Sequence, residues 1–166
     1  ADGAVTVSVA ADIATDAATN GNTAATELSV TNDQTVPTVT LTSDAATAQS
    51  GVFTVTATFS EAVTGFAAED IVVTNGTKGA LSGSGTTYTM EVTPSADGAV
   101  TVSVAANVAT DAAGNDNTAA TELSVTTDQT APTVTLTSNA EDPHSGLFTV
   151  TVTFSEDMIG LTAEDI

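Results

Sequence analysis

The side chains in this chain that are able to do chemistry are carboxylates and amides, and they gather in short polar stretches. Glu61 is followed by Glu69 and Asp70. Asp111, Asn115, Asp116 and Asn117 share one run of residues, and Asp2, Asp33, Asp97 and Asp128 stand beside segments rich in Thr, Gln and Ala. Hard oxygen donors in such numbers suit Ca²⁺, which takes six to eight oxygens in a flexible geometry. The balance of charge points the same way, with 21 acids against one lysine and a net charge of −20. A surface of this kind repels nucleic acid and anionic membrane, because gripping phosphates needs Lys and Arg. It also keeps molecules apart at high local concentration.

Catalysis finds little support in the residues. His144 is the only histidine, and the position that corresponds to it in the preceding repeat is Gln49, so no histidine-based site recurs. A nucleophilic serine would lack its base. Paired carboxylates can hydrolyse glycosides, yet five Phe, one Tyr and no Trp leave few platforms for a sugar ring. The reading is of a protein that is not an enzyme. There is no Cys, so neither a disulfide nor a thiolate is available. Lys78 follows Asn75-Gly76-Thr77 in a polar turn and reads as an exposed lysine rather than as an isopeptide donor.

The elements that must position these acids repeat. Asp33-Gln34-Thr35-Val36-Pro37-Thr38-Val39-Thr40-Leu41-Thr42 returns as Asp128-Gln129-Thr130-Ala131-Pro132-Thr133-Val134-Thr135-Leu136-Thr137, and Ala1 to Ala11 returns as Ala96 to Ala106. Ala68-Glu69-Asp70-Ile71 returns as Ala163-Glu164-Asp165-Ile166. The offset is 95 residues throughout, and self-similarity at a fixed period marks a repeat architecture. Residues 1–34 are read as the C-terminal part of a preceding repeat, 35–129 as a complete repeat and 130–166 as the N-terminal part of the following one. The expectation is a window on a longer tandem array, and no signal peptide is visible, as suits an internal window.

Within the repeat, hydrophobic residues alternate with Thr. Phe53, Val55, Ala57 and Phe59 share one face of a strand, and Thr54, Thr56 and Thr58 the other. Val39-Thr40-Leu41-Thr42 behaves likewise, as do Tyr88, Met90 and Val92, then Val100, Val102 and Val104. Ile71-Val72-Val73 gives a further strand stopped by Asn75-Gly76, and Leu123 and Val125 mark the last. The spacing predicts a long connection over 60–68 with room for a helical turn, and a loop over 111–117. The Gly/Ser-rich segment 79–85 has room for a short edge strand. About seven short strands separated by turn signals indicate an all-β sandwich. No run of apolar residues is long enough to span a bilayer.

The succession Thr-Ala-Pro-Thr-Val-Thr-Leu-Thr, Phe-Thr-Val-Thr-Ala-Thr-Phe-Ser-Glu, Ala-Glu-Asp-Ile, Ala-Asp-Gly-Ala-Val-Thr-Val-Ser-Val and Thr-Asp-Ala-Ala-Gly-Asn resembles the bacterial Ig-like repeats of large surface proteins and adhesins. The resemblance covers the whole chain. It implies an Ig-like β-sandwich of antiparallel Greek-key strands in tandem, an extracellular or cell-surface location, and a rod that holds some other domain away from the cell.

With Ig topology, alternate loops lie at opposite poles. Glu61, Glu69 and Asp70 then share a pole with Asp111 and Asn115, where Asp33 and Asp2 also arrive. Calcium bound there would offset the repulsion and lock the hinge between repeats. The next junction would use Asp97, Asp128, Glu156 and Asp165. Asp116 is the weakest candidate, because Gly21 stands in its place one repeat earlier. Against this stands a plainer alternative: the acids are solvated and serve solubility, and Asp111 and Asn115 cap a turn. No contiguous EF-hand spacing occurs.

Three roles follow. The first is a structural spacer whose partners are the neighbouring repeats of the same chain. The second is a self-assembling filament or surface layer, whose subunits meet laterally or by strand addition. The third, a ligand-binding module, is disfavoured by the lack of an aromatic patch.

Overall fold

The computed structural model describes residues 2–166. It forms two units, one running to Asp128 and the other from Gln129 to Ile166. In chain order the strands are β1 (Gly3–Val7), β2 (Leu28–Asn32), β3 (Val39–Ser43), β4 (Phe53–Val63), β5 (Ile71–Thr74), β6 (Gly76–Pro94), β7 (Gly98–Val104), β8 (Leu123–Thr127), β9 (Val134–Ser138) and β10 (Val150–Phe154). Single 3₁₀ turns precede β5, at Ala68–Asp70, and close the chain, at Ala163–Asp165. No α-helix occurs among the described residues.

Two three-stranded antiparallel sheets form the centre, ordered β3-β4-β6 and β5-β7-β8. The chain passes from the first sheet to the second at β5, returns at β6 and crosses again at β7, so neither sheet is built from one continuous segment. The period-two alternation decides what lies between them. Phe53, Val55, Ala57 and Phe59 on β4 are buried with Tyr88, Met90 and Val92 on β6, while Val100, Val102 and Val104 on β7 face them from the other sheet. Register places Phe53 opposite Val92, Val55 opposite Met90 and Ala57 opposite Tyr88. The all-β sandwich expected from the sequence is what the chain forms.

Strand β6 is a single extended run that doubles back on itself. A Cβ on Gly79 would lie 3.3 Å from the Glu91 carbonyl oxygen, and one on Gly83 only 2.2 Å from that of Thr87. Gly83 and Gly85 adopt φ of 110° and 69°, which glycine tolerates and other residues resist. The Gly/Ser-rich segment is therefore one arm of a hairpin, in which Gly79 and Gly83 lie where the other arm passes too close for a side chain and Gly85 supplies a left-handed backbone.

Two boundaries differ from the sequence reading. The segment after Phe59 continues as strand to Val63, with a register shift between Thr58 and Val63. A bulge of this kind inserts residues into one strand and re-aims its side chains. Burial keeps period two through it, with Glu61 half-buried in the same phase as buried Phe59 and Val63. Lys78 lies in β6 rather than in a turn.

The flanks repeat the centre's local structure. β1 pairs with β2 as β7 pairs with β8: Val5 stands opposite Val30 as Val100 stands opposite Val125. β9 and β10 pair as β3 and β4 do, with Val134 opposite Phe154 as Val39 is opposite Phe59.

Candidate metal centre

Asp33, Glu61 and Asp111 approach one another in the first unit. Their carboxylate oxygens lie within 4.8 Å of each other. Three different pieces of chain deliver them: the approach to β3, the bulged end of β4, and the loop between β7 and β8.

The loop is fixed from within. One oxygen of Asp111 accepts the amides of Ala113 and Asn115 at 2.8 Å each, and the other accepts the Asn115 side-chain amide at 2.8 Å. This is the Asx-type closure expected of Asp in a tight turn, and Gly114 supplies the left-handed residue it needs, φ 90°. Asn117 fastens the base of the loop. It is 1% exposed. Its side-chain oxygen accepts the amides of Val108 and Ala109, and its side-chain nitrogen donates to the carbonyls of Ala105 and Thr118.

Asn115 does double duty. The nitrogen that holds Asp111 also donates to the Asp33 carbonyl at 3.2 Å, tying the loop to the incoming chain. Asp33 itself accepts the Thr35 amide at 3.0 Å. Asp2 secures the same segment from the other side, accepting the Gln34 amide at 2.6 Å and the Thr35 hydroxyl. At the far wall, Ser60 holds the start of β3 by accepting the Thr38 amide at 3.0 Å. Beneath lie the rings of Phe59, Phe66 and Tyr88, packed edge to face with centroids 5.1–5.9 Å apart. The Tyr88 hydroxyl donates to the Val63 carbonyl.

Glu61 is the anomaly of the group. Its Oε1 is buried and is the one such side-chain oxygen or nitrogen without a hydrogen-bond partner among the described residues. Its pKa is raised, first by burial and then by the charges of Asp33, Asp111 and Asp2. Asp111 and Asp2 are shifted the opposite way. The Asn115 side chain holds Asp111 below the ordinary carboxylate value, and the Thr35 hydroxyl does the same for Asp2. Two carboxylates are thus kept ionised by their hydrogen bonds while a third, packed against them, is disfavoured in its charged form. A cation placed among them would relieve that conflict by supplying an opposite charge and an oxygen-seeking centre to the orphaned Oε1. The donors are all hard oxygens, which fits Ca²⁺ and not a thiophilic metal.

Of the residues expected at the first junction, Asp2, Asp33, Glu61, Asp111 and Asn115 are brought together, Asn115 as the brace between two of them. Glu69 and Asp70 have other places. Asp70 closes the 3₁₀ turn by accepting the Ala67 amide at 2.8 Å, and Glu69 lies by the surface depression that Ile71, Val73 and Lys78 also line. The Lys78 ammonium donates to the carbonyls of Ala68 and Ile71, so the chain's one lysine is spent on the end of that turn.

Of the second set, Asp97 precedes β7 and Asp128 follows β8. Glu156 and Asp165 belong to the other unit, where Asp165 repeats the role of Asp70 by accepting the amide and hydroxyl of Thr162. The Thr162 hydroxyl lowers the Asp165 pKa. Asn117 was named within its loop but given no role, and Ser60 went unread, although each recurs at the common offset as Asn22 and Ser155. The recurring bonds are the signal: Asn22 accepts the amides of Ile13 and Ala14, and Ser155 accepts that of Thr133.

Residues 33–127 match the family described as bacterial Ig-like domain. Searches of curated proteins and of solved structures returned no match. The matched segment takes in both central sheets and all three clustered acids, and the chain belongs to the bacterial Ig-like domain family.

Proposed function

We propose that the chain is a non-catalytic spacer in the stalk of a bacterial cell-surface, adhesin-like protein, its successive units stiffened by calcium. The observation that carries this reading is the convergence of Asp33, Glu61 and Asp111, with a buried and unpartnered Glu61 oxygen among them. Asp33 lies on the segment that leads into the domain, and Asp2 grips that same segment. A cation held there fixes the incoming chain against the loop between β7 and β8. A strand-built unit spans on the order of 30–40 Å with its loops, at roughly 3.3 Å per residue. Repetition therefore gives reach, and ion binding gives stiffness.

The experiment is thermal unfolding of the 166-residue chain in calcium and in chelator. An ion that binds only the folded state stabilises it by about 2.7 kcal/mol at a hundredfold excess over Kd. For a domain of this size that corresponds to a rise in Tm on the order of 10 °C. Asp33→Asn and Glu61→Gln are expected to abolish the rise, and Glu69→Gln to leave it intact. Superimposable curves in calcium and chelator would leave the acids with solubility as their only role.

A further inference from the structure

The turn between β5 and β6, inside the central unit, carries an amide that the acidic site does not use. Asn75 stands at its corner with φ 56°, in the left-handed region that asparagine enters more readily than most residues with a Cβ. Its side chain is half-buried. Nδ2 donates to the Ala96 carbonyl at 3.1 Å and to that of Ala99 at 3.4 Å. The Asn75 backbone carbonyl accepts the Ser95 amide at 3.0 Å. These three bonds fasten the β5-β6 turn to the turn between β6 and β7, where the Thr127 hydroxyl also donates to the carbonyls of Ala96 and Gly98. The next residue is Gly76. A Cβ there would lie 3.2 Å from the Thr93 carbonyl oxygen and from methyl groups of Val73 and Val92, so packing favours glycine at this position. An asparagine followed by glycine is open to intramolecular attack, because no side chain hinders the backbone nitrogen that follows it.

We propose that Asn75 is a deamidation site controlled by the fold. The Gly76 backbone nitrogen, on losing its proton to hydroxide, attacks Cγ of Asn75. A C–N bond forms, the Cγ–Nδ2 bond breaks, and the amide nitrogen leaves as ammonia with a proton from water. A second water opens the succinimide at one carbonyl or the other, giving aspartate or isoaspartate, so water is the one reagent consumed. In the folded chain the side chain is held on Ala96 and Ala99, and the ring closes only after both bonds are released. Conversion therefore follows the population of open molecules, as cleavage by a protease does when opening is fast. Refolding does not restore the amide. Aspartate presents carboxylate oxygens to two carbonyls that have lost their donor, and isoaspartate lengthens the main chain at the corner where the three bonds meet. A long unfolding episode thus leaves a permanent, destabilising mark on the unit.

The test incubates the 166-residue chain in mildly alkaline buffer with chelator, folded in one arm and unfolded by urea in the other. Peptide mapping follows conversion at Asn75 and separates it from the other Asn-Gly pair, Asn20-Gly21. Conversion in urea is expected to be more than about tenfold faster than in the folded chain. Gly76→Ala, compared in urea where packing plays no part, is expected to slow it. Asn75→Asp carries the product's charge from the start and is expected to melt on the order of 5 °C below wild type at neutral pH. Equal rates in the two arms overturn control by the fold. Absence of conversion in urea overturns the site, and an Asn75→Asp chain as stable as wild type overturns the destabilising mark.

Discussion

Val100 and Val5 stand in the same local sequence, on strands of the same register, yet one is 0% exposed and the other 57%. The loops beside them differ far less. Asp16 accepts the amides of Ala18 and Asn20 and the Asn20 side chain, bond for bond as Asp111 accepts those of Ala113 and Asn115. Thr15 bridges Gly21 as Thr110 bridges Asp116. Asp12 and Asn107 share a left-handed φ, 61° and 62°. Turns and strand pairs are thus specified within a few dozen residues, through side-chain to backbone bonds that need no neighbour. Burial is not, because a sheet has a core only when a second sheet arrives. Even the loop copies carry a mark of the difference. Thr19 holds φ 72° where the central copy has Gly114, a conformation that costs a β-branched residue free energy.

Matched substitutions should separate the two regions most sharply in the core. Phe53 is 3% exposed and Phe148, its counterpart, 54%. Removing a buried aromatic ring loses its transfer free energy and leaves a cavity, so Phe53→Ala is expected to cost about 3–5 kcal/mol in urea unfolding. Phe148→Ala, where no second sheet covers the ring, should fall within about 0.5 kcal/mol of wild type. Equal effects would mean that the flanking face is covered in solution.

A smaller contrast is expected at the amides. Asn117→Ala removes a buried side chain and the partner of the half-buried Val108 amide and the buried Ala109 amide, and should cost about 1–3 kcal/mol. Asn22 makes the same four bonds in an exposed setting, so water replaces them and Asn22→Ala should be close to neutral. Hydrogen exchange at Val108 and Ala109, faster in Asn117→Ala, would localise the loss.

Much of this architecture was legible in the residues. Alternating Phe, Val and Thr marked the strands and the faces that meet, because period two is imposed by the pleat. Sandwich topology then put Asp33, Glu61 and Asp111 at one end before any distance was known. What sequence could not separate was a carboxylate free to bind from one already engaged. Asp70 and Glu61 are both acids in a polar stretch, but Asp70 is closed on the Ala67 amide and Glu61 Oε1 on nothing. Glu61 falls in the inward phase of β4, between buried Phe59 and Val63, but an acid at that position reads as the end of a strand rather than as its continuation. The hairpin within β6 was obscured because Gly79 and Gly83 are set by the neighbouring arm and have no pattern of their own.

The subtlest contrast lies between Glu61 and its counterpart Glu156, which is exposed. Burial and the nearby Asp33, Asp111 and Asp2 raise the Glu61 pKa. A folded-state pKa above the unfolded one means that the protonated form favours folding. Its contribution is fully present below the unfolded carboxylate value and is lost as pH rises through the raised one. In chelator at neutral pH, Glu61→Gln should therefore stabilise the chain, and its advantage should shrink as pH falls and wild-type Glu61 takes up its proton. Asp111→Asn runs the other way. The lowered Asp111 pKa contributes stability above pH 3.8, lost as pH falls through the folded value, so its replacement should cost most at neutral pH. Glu156→Gln, at an exposed position, serves as the surface control and should change stability by less than about 0.5 kcal/mol. Calcium, if it binds as proposed, would reverse the sign: the charge that burdens the folded state would become a ligand, and Glu61→Gln should change from stabilising to destabilising relative to wild type. Melting curves for the three variants, at pH 4 and pH 7.5 with and without calcium, measure that change of sign. If Glu61→Gln stabilises equally in calcium and in chelator, the buried oxygen is a solvation defect of the bulge and no cation relieves it.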